Sequence, residues 1–519
     1  MRVLPACFFR FAMFAQTAKI VMGALCILVL ALLLGSSASE GKETPLMLLG
    51  GIAVLASIVA LGKKVWWLLL LFPVIAIPIP GLGFLPKYAI AMMIVLPSMM
   101  ALGAMGKFKF TWHWLPLMDL LMVVLLALLV QAYIRNPADI AMFSGLDTEY
   151  IGGKEYVLFI FSFLSYITYS MIPTSMEEIR KLLRYAFVVI IFFTLLGLML
   201  GQLEASDSGG AANGEDMQTE RYGRFVGVGS FVTMWLLCRY NLSQIMLSVW
   251  RLPLFLCGVA GILLSGFREK LLGLAVVCCF ISLIRRRFIE LCLAAGAGCF
   301  VLFFMSTAGV LKEMPFGIQR SLAIVPFVEV TRDAKESAEE SADWRKEMWV
   351  WAWDDREGYI INRMWGDGFR LKVSDVKNES EMIYRGKISF GDLELFARAG
   401  QWHSGPIECI NRIGYVGLVL CSLLMLAMLV VSFRACRALL GLKEDYIVMF
   451  ILVPLVSQIA LWYMSAGTLQ KFSTFIPTVA FAKLLYCTAL KEGYLTPMWR
   501  RERYVPLMIR QEAAASLPA

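Results

Sequence analysis

Phe288–Met305 reads FIELCLAAGAGCFVLFFM, and Ile413–Phe433 reads IGYVGLVLCSLLMLAMLVVSF. Each run has about the 20 apolar residues that a helix needs to cross the hydrocarbon core of a bilayer. Between the two runs lies a polar segment, Ser306–Asn411, which contains WRKEMW at residues 344–349, GDGFR at 366–370 and QWHSG at 401–405. This arrangement predicts a membrane domain with one large extramembrane loop, where binding or chemistry should be sought.

The composition supports the membrane assignment. The chain has 519 residues, of which 59% are hydrophobic and 17% are charged, and its mean hydropathy is +0.71. A soluble domain has roughly 25% charged and 45–50% apolar residues, so an ordinary soluble enzyme is excluded. The net charge of +9 comes from short basic runs beside apolar stretches, which are typical of orientation signals and not of a nucleic-acid partner. The twelve cysteines are scattered without metal-type spacing and are interpreted as small buried apolar residues.

Hydropathy predicts an all-α polytopic membrane protein with about 14 transmembrane helices, or roughly 12–14 allowing for short or Pro- and Gly-containing runs. Residues 1–305 would hold about eleven of them, 306–411 a large and partly helical loop, 412–490 about three more, and 491–519 a basic tail. The first apolar run resembles a signal peptide, but the spans that follow favour a retained helix. The predicted spans lie near 20–34, 45–61, 65–80, 88–105, 114–133, 156–172, 183–201, 225–238, 252–265, 271–284, 288–305, 413–433, 446–464 and 472–490.

Basic residues predict the orientation of these spans. They fall on alternate connections, so the positive-inside rule puts both termini in the cytoplasm. The loops 135–155, 202–224 and 306–411 and the turn 266–270 then face outward. The basic connections contain Lys63 and Lys64, Lys107 and Lys109, Arg180, Lys181 and Arg184, Arg285–Arg287, Arg434 and Arg437, and Arg500, Arg501 and Arg503.

Arginines on the predicted outer side are unusual. Arg221 and Arg224 end one outer loop just before a span, and Arg268 lies in a tight outer turn. Arginine at a membrane boundary is costly unless it is paired, and pairing with Glu269 or a lipid headgroup is one explanation. Together with His403, one of two histidines in the chain, these arginines indicate an anion site, since guanidinium groups bind diphosphate bidentately.

Several short motifs occur in one order along the chain. They are Arg221-Tyr-Gly-Arg224, Ser265-Gly-Phe-Arg268, Arg345–Trp349, Gly366-Asp-Gly368, His403, and Gly414-Tyr-Val-Gly417. In the order of these motifs and in their common predicted side of the membrane, residues 220–430 resemble the O-antigen ligase and polymerase superfamily of bacterial membrane glycosyltransferases. Two positions depart from that pattern. Phe267 stands where a second serine is usual, and Ser404 follows His403 where asparagine is commoner, which puts the surroundings of the histidine in doubt.

The resemblance implies transfer of a glycan from an undecaprenyl-diphosphate donor to an acceptor hydroxyl, on another glycan or on a lipid A core, without metal or cofactor. Arg224 and Arg268 would stabilise the departing diphosphate, and Arg221 and Arg345 are the next candidates for binding it. His403 would accept or orient the acceptor proton, against the alternative of an ordinary interfacial histidine. The carboxylates that could replace it as base are Asp354, Asp355, Asp367 and Glu408.

Tryptophans are concentrated in the polar segment. Interfacial packing explains most of them, and Trp349 and Trp402 are predicted to stack on sugar rings. Trp344, Met348 and Ala352 recur at i, i+4 and i+8, which predicts an amphipathic helix lying on the membrane. His113, on the predicted cytoplasmic side, is interpreted as an interfacial anchor.

Two other functions remain open at the level of the sequence. A transporter or flippase for lipid-linked sugars would need polar residues deep in the spans. Its candidates lie near predicted span ends: Asp119, Gln131, Arg239, Glu290 and Lys471. A structural subunit of an envelope synthesis complex would leave the outer arginines unexplained.

Overall fold

The structure, a computed structural model, describes residues 52, 54–74, 86–138, 150–200, 216–354, 358–372, 396–397, 400 and 402–495. The predicted span near 20–34 and the tail 496–519 lie outside these residues. The described chain is almost entirely helical. Its only strands, within the described part, are β1 (Tyr150–Ile151) and β2 (Leu371–Lys372), which pair antiparallel.

Fifteen helices organise the described chain, and three short helical turns accompany them. The turns are Gly62–Trp67 and Val310–Glu313, both 3-10, and Trp462–Ala466, which is π-helical. The helices are α1 (Leu68–Val74), α2 (Lys87–Ala104), α3 (Pro116–Arg135), α4 (Gly153–Met171), α5 (Met176–Leu200), α6 (Asp216–Arg239), α7 (Leu242–Met246), α8 (Arg251–Leu263), α9 (Arg268–Arg285), α10 (Phe288–Thr307), α11 (Phe316–Leu322), α12 (Arg332–Ala352), α13 (Gly405–Ala438), α14 (Asp445–Leu461) and α15 (Leu469–Lys491).

Seven helical segments of the described chain are long and apolar enough to cross a membrane. The prediction of an all-α, multi-pass membrane protein is therefore confirmed at that level, whereas a count of about fourteen spans is not. Helices α4, α5 and α9 coincide with predicted spans but are outside the seven, and the apolar parts Val226–Arg239 and Arg251–Leu263 are shorter. The seven are Val54–Pro73, Lys87–Ala104, Pro116–Arg135, Phe288–Thr307, Gly405–Ala438, Asp445–Met464 and Leu469–Lys491.

The connection predicted at Lys63 and Lys64 is a turn in the structure. Gly62 has a φ of 52°, and Gly62–Trp67 form a 3-10 turn in which Trp66 and Trp67 are buried. By length and composition alone, Val54–Pro73 counts as one candidate span that contains this turn.

Helix α15 lies at the centre of the bundle. It packs against α4 and α13, and most of its length is buried. Helix α10 is the opposite case, because none of its apolar window is buried in the protein and Phe300 and Phe304 are exposed. An apolar helix without protein neighbours on most of its surface is typical of a lipid-facing position. The cysteines divide in the same way, contrary to the prediction that they are generally buried: Cys409 and Cys421 are buried, whereas Cys292 and Cys299 on α10 are exposed.

The predicted basic connections meet at one end of the bundle, which we call the basic end. His113 Nε2 lies 2.8 Å from the Ile172 carbonyl, and the Met176 amide donates to Glu492 Oε1 at 3.0 Å. In the same region the Arg180 guanidinium lies 2.7 Å from a Glu444 carboxylate oxygen. The connections that were predicted to share one side of the membrane therefore share one end of the fold.

The opposite end, which we call the loop end, holds the polar segment. The Arg135 guanidinium, at the end of α3, donates to the Trp365 carbonyl at 2.8 Å. The Asn136 amide donates to the Asp367 carbonyl at 2.8 Å. The start of α4 contacts the same segment, because Gly152 lies directly against the Phe369 carbonyl.

Candidate functional site

Helix α13 is broken at Gly414, where φ is 75° and ψ is −177°. The amide groups of Tyr415 and Val416, freed by the break, donate to the Arg363 and Met364 carbonyls at 2.8 and 3.3 Å. A Cβ at Gly414 would lie 2.0 Å from the Met364 carbonyl oxygen, so only glycine fits there. The polar segment is therefore fastened into the backbone of a membrane helix.

Asp367 organises this attachment and does not act as a free base. Its carboxylate accepts from the Ile361 and Asn362 amides at 2.8 and 2.9 Å. Its own amide donates to the Asn411 carbonyl at 2.5 Å. A carboxylate with two backbone donors stabilises a turn, so Asp367 is withdrawn as a candidate base.

Glu408 and Arg412 are buried beneath the attachment. Arg412 is 6% exposed and donates to the Gly368 carbonyl at 3.2 Å, while Glu408 Oε1 accepts from the Leu469 amide at 3.0 Å. These contacts hold α13, α15 and the polar segment together. Glu408 is inaccessible to an acceptor hydroxyl, so it is withdrawn as well. Asp354 is exposed, and Asp355 lies outside the described residues.

His403 lies immediately before Ser404, the N-cap residue of α13. Its φ of 46° puts it in the left-handed region, which costs a non-glycine residue roughly 1–2 kcal/mol. Such strain is often found at functional positions, where the surrounding packing imposes it. Here the neighbours on both sides, Trp402 and Ser404, are buried. These buried neighbours fix the backbone of His403, whose side chain is half-buried.

Aromatic rings surround the imidazole of His403. Its ring centroid lies 5.1 Å from that of Trp344 and 6.0 Å from that of Phe396, both in edge-on geometry. No described residue donates to or accepts from its ring nitrogens. Burial lowers its pKa to about 4, and the positive charges of Arg345 and Lys471 add to the shift. The imidazole is therefore neutral near pH 7 and has a nitrogen available as an acceptor.

Arg345, whose charge acts on His403, also lies close enough to two arginines from other elements for their charges to interact. Arg268 begins α9, Arg345 lies on α12, and Arg320 lies on the short helix α11. The pKa of Arg268 is lowered by burial and then by the charges of Arg345 and Arg320. The pKa of Arg345 is lowered by burial and by Arg320, while the carboxylate of Glu269 opposes the shift. We call Arg268, Arg320, Arg345, His403 and Lys471 the cationic site.

Two members of the cationic site were not predicted as site residues. Lys471 was considered only for a transporter, and Arg320 was not singled out, because no motif surrounds it. Its position comes from the docking of α11 on the turn before α9. A Cβ at Gly317 would lie 2.5 Å from the Leu264 carbonyl, and the Ser321 hydroxyl donates to the Leu263 carbonyl at 3.1 Å. Such close backbone contact cannot be read from a sequence of this kind.

The positions of Arg221 and Arg224 differ from the prediction. Both lie inside α6, which begins at Asp216, and not at the end of a loop. Helical propensity of the polar residues at its start extends the helix beyond its apolar part. The described part of the chain includes their backbone but not their side chains, so their membership of the cationic site stays a prediction.

The aromatic face of α12 packs on protein. Met348 and Ala352 are buried in a cluster with Trp402, Ile407 and Ile410, so the prediction that this face lies on the membrane is wrong. Periodicity marks the apolar face of a helix but does not identify what covers it.

Unsatisfied donors remain within this packed region. Trp402 is fully buried, and neither its indole N–H nor that of Trp349 has a hydrogen-bond acceptor among the described residues. The Nε of Arg345 is likewise buried without a partner in that part of the chain. Trp402 has no exposed surface and packs in the cluster with Met348, so the prediction that it stacks on a sugar ring is wrong. Trp349 is half-buried at the edge of that cluster, and its contact with a sugar stays a prediction. Buried donors without acceptors are rare in folded proteins, and an acceptor-rich ligand would satisfy Arg345 Nε.

The fold and the cationic site together define an all-α, multi-pass membrane protein with clustered basic groups at the loop end. In the described residues, no three His, Cys, Asp or Glu side chains are grouped so as to hold a metal ion. The chain matches no protein-family model, and comparison with curated proteins gives no significant match.

Proposed function

We propose that this protein is a membrane glycosyltransferase of the O-antigen ligase or polymerase type. It would transfer a glycan from an undecaprenyl-diphosphate donor to an acceptor hydroxyl at the periplasmic face of the inner membrane. The observation that supports the proposal is the cationic site, in which the charge of Arg345 acts both on His403 and on Arg268, at the end of the bundle that holds the polar segment. About 14 spans and cytoplasmic termini belong to the proposal, as does the family resemblance.

The cationic site suits a diphosphate. Burial and the charges of Arg345 and Arg320 lower the pKa of Arg268, so a bound anion at this position would favour its charged form. Glu269 supplies one negative charge to Arg345. A diphosphate at the membrane interface offers several oxygens to planar guanidinium groups. The same groups would stabilise the charge that develops on the diphosphate as it leaves the sugar.

The transfer step balances without a metal or cofactor. The acceptor oxygen forms a bond to the anomeric carbon, and the bond from that carbon to the diphosphate oxygen breaks. The acceptor proton passes to a ring nitrogen of His403, which is neutral before the step. Undecaprenyl diphosphate leaves with the bonding electrons, held by Arg268 and its neighbours.

The decisive experiment measures transfer and donor binding separately. Purified protein in nanodiscs is given an undecaprenyl-diphosphate oligosaccharide, with either a lipid A-core or a second oligosaccharide as acceptor. Arg268→Ala should lower kcat by roughly 10²–10³-fold, as expected when a transition-state donor is lost, and should weaken donor binding. Arg268→Lys should restore little, since an ammonium group lacks the planar fork.

Arg332→Ala is the matched control, because Arg332 is an exposed arginine of the polar segment that pairs with Glu336. It should leave transfer unchanged. Arg224→Ala tests in the same assay whether α6 contributes to the site. Full transfer in Arg268→Ala would refute the diphosphate site, and movement of donor between leaflets without transfer would establish the alternative, a flippase.

A further inference from the structure

A cavity of about 310 Å³ lies at the basic end, on the opposite side of the fold from the cationic site. Three segments that are distant in sequence form its wall: the turn Gly62–Trp67, the connection after α2, and the start of α5. Its volume far exceeds the share of about 30 Å³ that one water molecule occupies in the liquid. The lining residues are Lys63, Gly106, Lys107, Phe108, Lys109, Pro173 and Glu178.

The charge of this cavity is strongly positive. Lys63, Lys107 and Lys109 line it with a single carboxylate, Glu178. None of the three lysines forms an ion pair within the described part of the chain. Glu178 is partly engaged, since it accepts from the Thr174 hydroxyl at 3.3 Å.

Two other cations at the same end are paired. Lys181 lies 2.6 Å from a Glu177 oxygen, and Arg180 lies 2.7 Å from a Glu444 oxygen. A general excess of basic residues is sufficient for orientation in the membrane. It does not account for three lysines, without an ion pair among the described residues, that line one cavity.

The wall of the cavity is built by specific backbone contacts. The amides of Lys107 and Phe108 both donate to the Leu102 carbonyl, at 2.9 and 3.2 Å, so the chain turns sharply after α2. The Thr111 amide then donates to the Met171 carbonyl at 3.1 Å, which fixes the lysine-bearing connection against the segment that precedes α5. Phe108 is 6% exposed and anchors the turn.

The neighbouring aromatic residues place this cavity at the level of the lipid headgroups. Phe110, Trp112 and Trp114 follow the lysines and are exposed. Exposed tryptophans beside lysines are typical of the membrane–water interface. Basic pockets between helices at this level bind phosphate-bearing headgroups.

We propose that this lysine cavity binds a phosphate group, with the phosphodiester of an anionic lipid headgroup as its source. Lysine ammonium groups bind phosphate as point charges, and the cavity is open to the interface where such headgroups lie. Free phosphate shares this chemistry and is the competing source. The inference is independent of glycan transfer, because it rests on residues at the other end of the fold.

The test is native mass spectrometry of the full-length protein, titrated with phosphatidylglycerol or with phosphatidylcholine. Lys107→Gln/Lys109→Gln should weaken phosphatidylglycerol retention by roughly tenfold and leave phosphatidylcholine retention unchanged. The matched control is Lys312→Gln/Lys346→Gln, which removes the same charge from exposed lysines that pair with Glu329 and Asp343. It should retain phosphatidylglycerol like the wild type.

Inorganic phosphate provides the second arm. Millimolar phosphate could compete with the lipid for the cavity. If it abolishes phosphatidylglycerol retention by the wild type but not by the lysine variant, soluble phosphate is the source of the bound group. The variant Lys107→Arg/Lys109→Arg is the control for misfolding. It keeps the positive charge and should therefore retain phosphatidylglycerol. Equal phosphatidylglycerol retention in the lysine variant and the control would overturn the proposal.

Discussion

His403 is held in a left-handed conformation and its pKa is lowered to about 4, chiefly by burial. In the free enzyme it is therefore neutral above about pH 5, although an ordinary histidine would gain a proton below about 6.5. The kcat/KM for the donor, which reports pKa values of the free enzyme, should show no loss from this group between pH 8 and 6. The kcat/KM should fall on the acidic side only near pH 4. A fall near pH 6.5 in the wild type that is missing from His403→Ala would show that burial does not lower the pKa of His403.

Substitutions at the same residue separate a base from a positioning group. In the proposed mechanism the arginines hold the diphosphate, so His403→Ala should reduce kcat by roughly 10²–10⁴-fold while donor binding survives. His403→Gln can donate to or accept from a hydroxyl but cannot take its proton. Substantial turnover in the glutamine variant would mean that His403 only orients the acceptor. Normal turnover in both would make it an ordinary interfacial residue.

Asp119 and Lys483 form a buried ion pair far from His403. Lys483 is fully buried and also donates to the Ser170 hydroxyl at 2.8 Å, while the Tyr166 hydroxyl donates to Asp119 at 2.5 Å. Removing one partner of such a pair costs about 3–5 kcal/mol, because the other charge stays buried. Lys483→Met should therefore lower the thermal unfolding midpoint sharply.

The double variant Asp119→Asn/Lys483→Met leaves no buried charge at this pair. It should recover most of the lost stability, and glycan transfer should persist once the protein is folded. A stable Asp119→Asn protein that loses movement of lipid-linked sugar would instead favour the transporter reading.

At the scale of elements, the break in α13 is the feature with the clearest energetic consequence. Gly414→Ala adds a methyl group against the Met364 carbonyl in a left-handed conformation. Gly309→Ala is the matched control, because its φ of 74° is similar but nothing lies within 4 Å of the added carbon. The overpacking alone should cost about 1–3 kcal/mol beyond the control. Unfolding midpoints in detergent and proteolysis of 358–372 measure it, and equal effects would contradict it.

The positions of the helices were predictable from the sequence, but the break inside α13 was not. Apolar runs located α2, α3, α10, α14 and α15, because burial in lipid requires about 20 such residues. Lys63 and Lys64 marked the turn Gly62–Trp67 between two apolar runs. The break at Gly414 was not expected, since a glycine in an apolar run is compatible with an intact helix. Only the carbonyls of the distant polar segment make the break favourable.

For the whole molecule, the proposed orientation makes a direct prediction. A reporter after Arg287, at the basic end, should give a cytoplasmic signal, and one inserted after Pro326 should give a periplasmic signal. Pro326 is exposed in a turn of the polar segment before α12, so an insertion there leaves the packed helices intact. A cytoplasmic signal at Pro326 would overturn the orientation and with it the proposed donor, whose diphosphate lies at the outer face.

The candidate site was predictable only in part. Arg268, Arg345 and His403 were chosen from short motifs, and the charge of Arg345 acts on each of the other two. Arg320 was missed because tertiary docking, not local pattern, brings α11 to the turn before α9. Asp367 was only an alternative base, and its two backbone donors show that it stabilises a turn.

The seam between the polar segment and α13 also limits how this protein can be recombined. Its hydrogen bonds join the Arg363 and Met364 carbonyls to the Tyr415 and Val416 amides. A chimera that exchanges the loop at Asn411 would separate the two halves of that seam, although the boundary looks natural in the sequence. The segment that must be exchanged as one unit is the polar segment together with the first turn beyond Gly414. Loop swaps intended to change acceptor preference should be cut within the lipid-facing part of α13.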